Sequence, residues 1–275
     1  MHSFKLLNIF LLIFLLFSCS KFKPIQAIEV TEIGETGDNE MNFNNLLYSA
    51  LHAAQLPENL SASIMGIIGE NPAFILDLFE ILQTDPYLRV LVDKEHSLKE
   101  DYEPEDLKEL TNGSYRVNRT GLFLRKAAAT SLEEMAAAAK SEGLTLTASS
   151  AYRSFNYQVQ VYERNVKEMG QQAADRESAR PGHSQHQLGL VIDFGSITND
   201  FARTPEGIWL LTNASRFGWS LSYPEGYEDV TGYRWESWHY RYVGKGLAAF
   251  IDKYFDGIQQ YALRFLYEWE QAGKP

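Results

Sequence analysis

Apolar positions recur with different periods along the chain, and those periods predict its elements. Residues 43–85 carry apolar residues at helical spacing in short pieces, with Phe74, Leu78, Ile81 and Leu82 on one stripe. Asn71-Pro72 opens the last piece, Asn as the cap and Pro at the first helical position. Residues 87–110 (YLRVLVDKEHSLKEDYEPEDLKEL) read as one short strand followed by an acidic turn, with His96 a solvated loop residue. Residues 122–142 are rich in Ala, Leu, Glu and Lys and predict a long helix that stops at Gly143. Leu144 to Ala148 alternates apolar and polar, as a half-buried strand does, and the strand ends at Tyr152-Arg153-Ser154. A helix over 155–170, a short apolar strand over 188–194 (LGLVIDF) and a helix over 205–217 opening at Thr204-Pro205 follow. Residues 234–243 (RWESWHYRYV) are aromatic and β-prone, and one helix or two fill 246–272. Strands separated by irregular helices predict an α+β fold. It comprises a small antiparallel sheet flanked by helices, with a helical N-terminal extension over 43–86 and the main domain over 87–275.

The first 42 residues follow none of these patterns. Residues 6–17 (LLNIFLLIFLLF) follow Lys5 and precede Ser18-Cys19-Ser20. Twelve such residues are too short to span a bilayer core of about 30 Å and read as a secretory signal peptide over 1–18. Leu16-Phe17-Ser18-Cys19 resembles a bacterial lipoprotein cleavage box, although Phe17 is bulkier than usual. The expectation is a mature chain lipidated at Cys19 and tethered to a membrane through polar residues 19–42; an ordinary signal peptide with an incidental cysteine is the alternative. No other stretch is long and apolar enough to cross a membrane. The domain then belongs to an exported protein of the bacterial cell envelope. With Lys+Arg 25 against Asp+Glu 36 the net charge is −11, which argues against a nucleic-acid partner. Cys19 is the only cysteine, so intramolecular disulfides and multi-thiolate zinc sites are excluded, and any metal must use His and carboxylates.

Chemistry concentrates in two segments, His183 to Asp193 and Glu236 to His239. Asp193 interrupts an apolar strand, and a carboxylate there needs a metal or an arginine partner. His186 lies seven residues earlier, a separation that puts the two on opposite faces of an unbroken strand. They converge only if His186 sits in the preceding loop and Gly189 makes the bend. Glu236 and His239, three apart, face the same parity problem, solved if Glu236 lies in a turn before the strand. Two loop-to-strand junctions then supply two His and one Asp, a ligand set that suits a catalytic zinc with an open position, and leave Glu236 as a general base. A serine-hydrolase elbow at Gly182 to His186 lacks its second glycine, and Gly244-Lys245-Gly246 lacks the context of a dinucleotide loop.

Ser184 to Asp193 fits S-x-H-x-x-G-x-x-x-D, Glu236 to His239 fits E-x-W-H, and Tyr152-Arg153-Ser154 with Gln158 fits Y-R-S-x-x-x-Q. Together with Leu91 to Leu107 as an entry segment, these motifs resemble zinc D-alanyl-D-alanine carboxypeptidases of the VanY type over residues 88–255. That family sits within the wider group of lysostaphin-like peptidases and hedgehog domains. The chain departs from the pattern at Ala151, where Gly is usual, at Gln185, where Glu is common, and at Ser237, where Pro is common. The resemblance implies zinc held by His186, Asp193 and His239, Glu236 as the base, and Arg153 facing the substrate carbonyl or carboxylate. It also implies substrate contacts at Ser184 and Gln158, while His183 matches a variable position. The implied substrate is a peptidoglycan stem peptide losing its terminal D-alanine. The rivals are an L,D-carboxypeptidase acting on tetrapeptides, a non-catalytic zinc-stabilised wall-binding lipoprotein, and a structural lipoprotein without metal.

Overall fold

A computed structural model describes residues 37–273. Cys19, the signal segment and most of the tether lie outside the described residues. Chain contacts divide the molecule into Met1–Phe43 and Asn44–Pro275, and the account below concerns the second unit. The N-terminal part of the described residues is helical in short pieces as expected: α1 (Gly37–Ala53), which begins in the first unit, α2 (Glu58–Glu70) and α3 (Ala73–Leu82). Helix α1 starts inside the stretch expected to be tether. Helix α3 starts one residue later than its sequence suggested, with Pro72 at the cap position, and the Asn71 side chain accepts from the Ala73 backbone N–H at 2.9 Å.

Two β layers follow. A small antiparallel pair joins β1 (Leu107–Glu109) to β3 (Phe123–Arg125). A five-stranded sheet has the order β2-β4-β5-β7-β6, formed by Arg116–Val117, Thr147–Ser150, Val191–Phe194, His239–Tyr242 and Trp219–Leu221. Its pairings are antiparallel except at the edge, where β2 runs parallel to β4. Strand β5 is buried along its whole length, which explains why its residues other than Asp193 are apolar. One face of the sheet packs against α4 (Lys126–Ser141), whose Ala128, Leu132, Met135, Ala136 and Ala139 are all buried at helical spacing. Helices α5 (Phe155–Met169), α6 (Gln171–Glu177), α7 (Pro205–Asn213) and α8 (Glu228–Thr231) fill the connections, and α9 (Lys245–Tyr254) and α10 (Gln259–Ala272) end the chain. Ser154 and Thr204 cap α5 and α7 by accepting from Tyr157 and Gly207 N–H groups.

The extension docks through aromatic packing. Phe74 of α3 lies 5.2, 4.9 and 5.8 Å from the ring centroids of Phe250, Tyr254 and Phe265. Asp77 accepts from Lys253 and Tyr254 on the same side, both at 2.8 Å.

Four expectations need correction. No strand forms over 87–94: residues Pro86–Arg89 make a 3₁₀ turn, and the buried Arg241 guanidinium binds the Leu88 and Val90 carbonyls at 3.1 and 2.8 Å. Residues 123–125 belong to β3 and not to the long helix, because pairing with distant β1 outweighs local helix preference. The strand expected over 144–148 begins at Thr147. His96 is half-buried, with Nδ1 2.8 Å from Asp93 Oδ1 and its ring edge-on to Tyr267 at 4.5 Å.

Candidate active site

Sheet register creates the site. Asp193 on β5 stands directly opposite His239 on β7, so both side chains leave the same face of the sheet. On the other side of Asp193, β4 contributes Ser150. His186 comes from a 3₁₀ turn (Gln185–Leu188) that ends at Gly189 in the left-handed region, φ 68°. The left-handed φ favours glycine at this bend, and a Cβ there would also crowd the Leu107 methyl at 2.9 Å. Glu236 lies just before β7, and its carbonyl accepts from the His239 N–H at 3.3 Å. The parity problem is solved at both junctions by chain breaks where the sequence placed them.

The three side chains meet closely. His186 Nε2 lies 3.3 Å from Asp193 Oδ2, and His239 Nδ1 lies 3.2 Å from Asp193 Oδ1 and 3.3 Å from Glu236 Oε2. The two imidazoles cross at 84° with centroids 5.0 Å apart. One donor atom from each of His186, Asp193 and His239 falls within 4.8 Å of the others, and all three residues are buried. His186 Nδ1 is 2.7 Å from the Ala151 carbonyl, which can only accept, so the proton sits on Nδ1 and Nε2 offers its lone pair. Asp193 Oδ1 is buried and makes no hydrogen bond, despite its nearness to His239. A buried carboxylate that turns one oxygen toward each of two imidazole nitrogens, with Oδ1 left without a well-formed hydrogen bond, fits a metal ion.

Charge balance agrees. Burial drives His186 down to about 4, so it is neutral at pH 7. Burial would lower His239 too, but the adjoining Asp193 and Glu236 carboxylates outweigh it and lift the imidazole to about 9. Burial works to raise Asp193, yet the two imidazoles hold it well below the usual carboxylate range. The metal-free cluster thus keeps a proton on His239 to offset its carboxylates, the part a bound dication would take. Glu236 is pushed up by burial against the pull of His239, a setting that suits proton transfer.

Arg153 lies beside this group at the N-terminal end of α5, with Nη1 donating to Gln158 Oε1 at 2.7 Å and Nη2 to Ser150 Oγ at 3.2 Å. Burial lowers its pKa, opposed by the nearby Asp193 and Glu236. Gln158 is buried, and its amide also donates to the Ala179 carbonyl at 2.6 Å. Ser184 is buried as well, and its Oγ accepts from the His186 N–H at 3.3 Å. Both residues therefore touch the machinery from behind, through Arg153 and His186. His183 binds the Asp93 carbonyl at 2.7 Å, apart from the metal group. It lines a cleft of about 310 Å³ with Lys94, Asp175, Ser178, Arg180 and Tyr233. Sequence reasoning missed Ser150, the Ala151 carbonyl and the Tyr223 ring, whose centroid is 4.7 Å from that of His239. Ser150 could have been found as the strand residue three before Arg153; nothing in the sequence marks Tyr223.

The family model for VanY, D-alanyl-D-alanine carboxypeptidase, matches residues 121–245, which contain Arg153, His186, Asp193, Glu236 and His239. The chain is 30% identical over 217 residues to the D-alanyl-D-alanine carboxypeptidase of Enterococcus faecalis, covering 72% of this chain and 75% of that protein. The chain belongs to the VanY family. It is therefore a peptide hydrolase of the carboxypeptidase class. Two solved structures of the family's kind share its fold. The LD-carboxypeptidase LdcB has a TM-score of 0.55 at 34% identity, covering 61% of this chain and 85% of LdcB. A mutant of the vancomycin-resistance D,D-pentapeptidase VanY, in complex with Zn(II), has a TM-score of 0.52 at 30% identity, covering 62% and 96%.

Proposed function

We propose that this VanY-family chain is a zinc-dependent D-alanyl-D-alanine carboxypeptidase that removes the terminal D-alanine from peptidoglycan stem peptides. The observation that carries the reading is the buried Asp193 carboxylate turning one oxygen toward each of two imidazoles, with Glu236 3.3 Å from one of them. His186 Nε2, Asp193 and His239 Nδ1 would hold the ion. Zinc, when bound, supplies Lewis acidity toward water and toward a carbonyl oxygen. Glu236, its pKa raised by burial, accepts a proton from the attacking water and returns it to the departing amine. Arg153 presents a planar fork of donors suited to a terminal carboxylate or a developing oxyanion. Gln158 and Ser150 hold that fork in place. Cleavage one residue from the chain end needs such a cation near the metal.

The similarity to LdcB keeps an L,D-carboxypeptidase acting on tetrapeptide stems as a second reading. Pentapeptide and tetrapeptide muropeptides assayed side by side separate the two by the mass of the product. The proposal expects D-alanine from the pentapeptide; cleavage of the tetrapeptide alone overturns it in favour of the second reading. The exported, lipid-anchored location is part of the same proposal and is supported by the apolar segment and Cys19. Mass spectrometry of membrane-extracted protein should find Cys19 lipidated and N-terminal, and an unmodified Cys19 would contradict the anchor.

A further inference from the structure

The first turn of α10 reaches the back of the metal group, although α10 begins beyond the segment matched by the family model. His239 points Nδ1 at the two carboxylates and Nε2 at Gln185 Oε1, 3.4 Å away. Gln185 Nε2 in turn lies 3.5 Å from Gln259 Oε1, and Gln259 Nε2 lies 3.3 Å from the Ser220 carbonyl. Ser222 Oγ sits between the two amides, 2.8 Å from Gln185 Oε1 and 3.4 Å from Gln259 Oε1. Gln185, Ser222 and Gln259 are all at least 97% buried, so water does not reorient them freely.

This chain of contacts has a direction. A backbone carbonyl only accepts, so Ser220 requires the amide nitrogen of Gln259 on its side. The Gln259 oxygen must then face inward and meet the Gln185 nitrogen. That contact turns the Gln185 oxygen toward His239, where it demands a proton on Nε2. An imidazole protonated on Nε2 leaves the Nδ1 lone pair free to bind a metal. Nothing else in the cluster sets this tautomer, since Asp193 and Glu236 would both accept a proton from Nδ1.

We propose that Gln259 of the C-terminal helix is a positioning residue for the metal centre. Through Gln185 it fixes His239 in the tautomer that offers Nδ1 to the ion. The inference rests on the zinc reading above. Zinc affinity, measured by chelator competition, is the readout. Gln259→Leu frees the Gln185 amide to flip and should weaken zinc binding about 10- to 100-fold, as loss of an outer hydrogen bond to a ligand does. Adding Gln185→Glu should restore it, because a carboxylate presents an oxygen to His239 in either orientation; a merely structural loss at Gln259 would not be rescued this way. Zinc-loaded parent protein carrying nitrogen-15-labelled histidine gives a check that needs no variant to fold: His239 should be protonated on Nε2 and metal-bound through Nδ1. Parental affinity in Gln259→Leu, failure of Gln185→Glu to restore affinity, or metal on Nε2 in the parent overturns the inference. A parent that binds no zinc overturns the zinc reading with it, whereas a parent that binds zinc alongside an equally tight Gln259→Leu overturns the helix's role alone.

Discussion

Glu236 and Arg153 flank the metal group, but their parts in turnover are separable. Glu236→Gln keeps size and hydrogen bonding while removing the base. It should retain metal and lose about 10²- to 10⁴-fold in kcat, measured by D-alanine release. Turnover like the parent's would place the base elsewhere. Arg153→Lys keeps the charge but replaces a two-pronged donor, now divided between Gln158 and Ser150, with a point charge. A charge-assisted hydrogen bond contributes about 1.5–3 kcal/mol, so kcat/KM should fall about 10- to 100-fold with metal content unchanged. An unchanged kcat/KM would remove Arg153 from the substrate's path. At this scale the sequence was most legible. Odd spacing between His186 and Asp193 forced a bend, Gly189 was the residue able to make it, and its φ of 68° shows that it does. The outer contacts were illegible because Gln185 and Gln259, 74 positions apart, carry no motif that links them.

Among the elements, legibility tracked how local the deciding contact is. Helix α7 begins at its sequence-marked cap, Thr204, and α5 begins at Ser154, because a cap acts within three residues. Strand β3 was read as helix, since its partner β1 lies on another stretch of chain. The YLRVLV run looks β-prone but is held as a turn and extended backbone by the Arg241 guanidinium, across about 150 residues. Docking of α3 on α9 gives a pH-dependent prediction. Burial works to raise the Asp77 carboxyl, but hydrogen bonds from Lys253 and Tyr254 outweigh it and lower its pKa. A carboxyl depressed in the folded state adds stability above its unfolded pKa and loses it as pH falls through the folded value. Asp77 is 36% exposed, so solvent screening limits the pair to about 0.5–1 kcal/mol. Asp77→Asn should therefore lower the melting temperature slightly at pH 7, with the difference from the parent shrinking as pH falls through the ordinary carboxylate range and below it. A difference that persists in acid would show that the contact is not electrostatic.

For the molecule as a whole, the active centre draws on residues far apart in the chain: Arg153 after β4, His186 before β5, Asp193 within it and His239 at the start of β7. The helical extension and the C-terminal helices share one aromatic cluster around Phe74, and α10 meets the metal group through Gln259. A net charge of −11 suits a substrate other than a polyanion. The central claim is that His186, Asp193 and His239 hold a zinc on which turnover depends. Atomic absorption on protein purified without chelators tests it most directly, with the parent beside His239→Ala. The account predicts about one zinc per chain in the parent and almost none in His239→Ala, since one of three protein ligands is gone. Little zinc in the parent, or equal zinc in both, would contradict it.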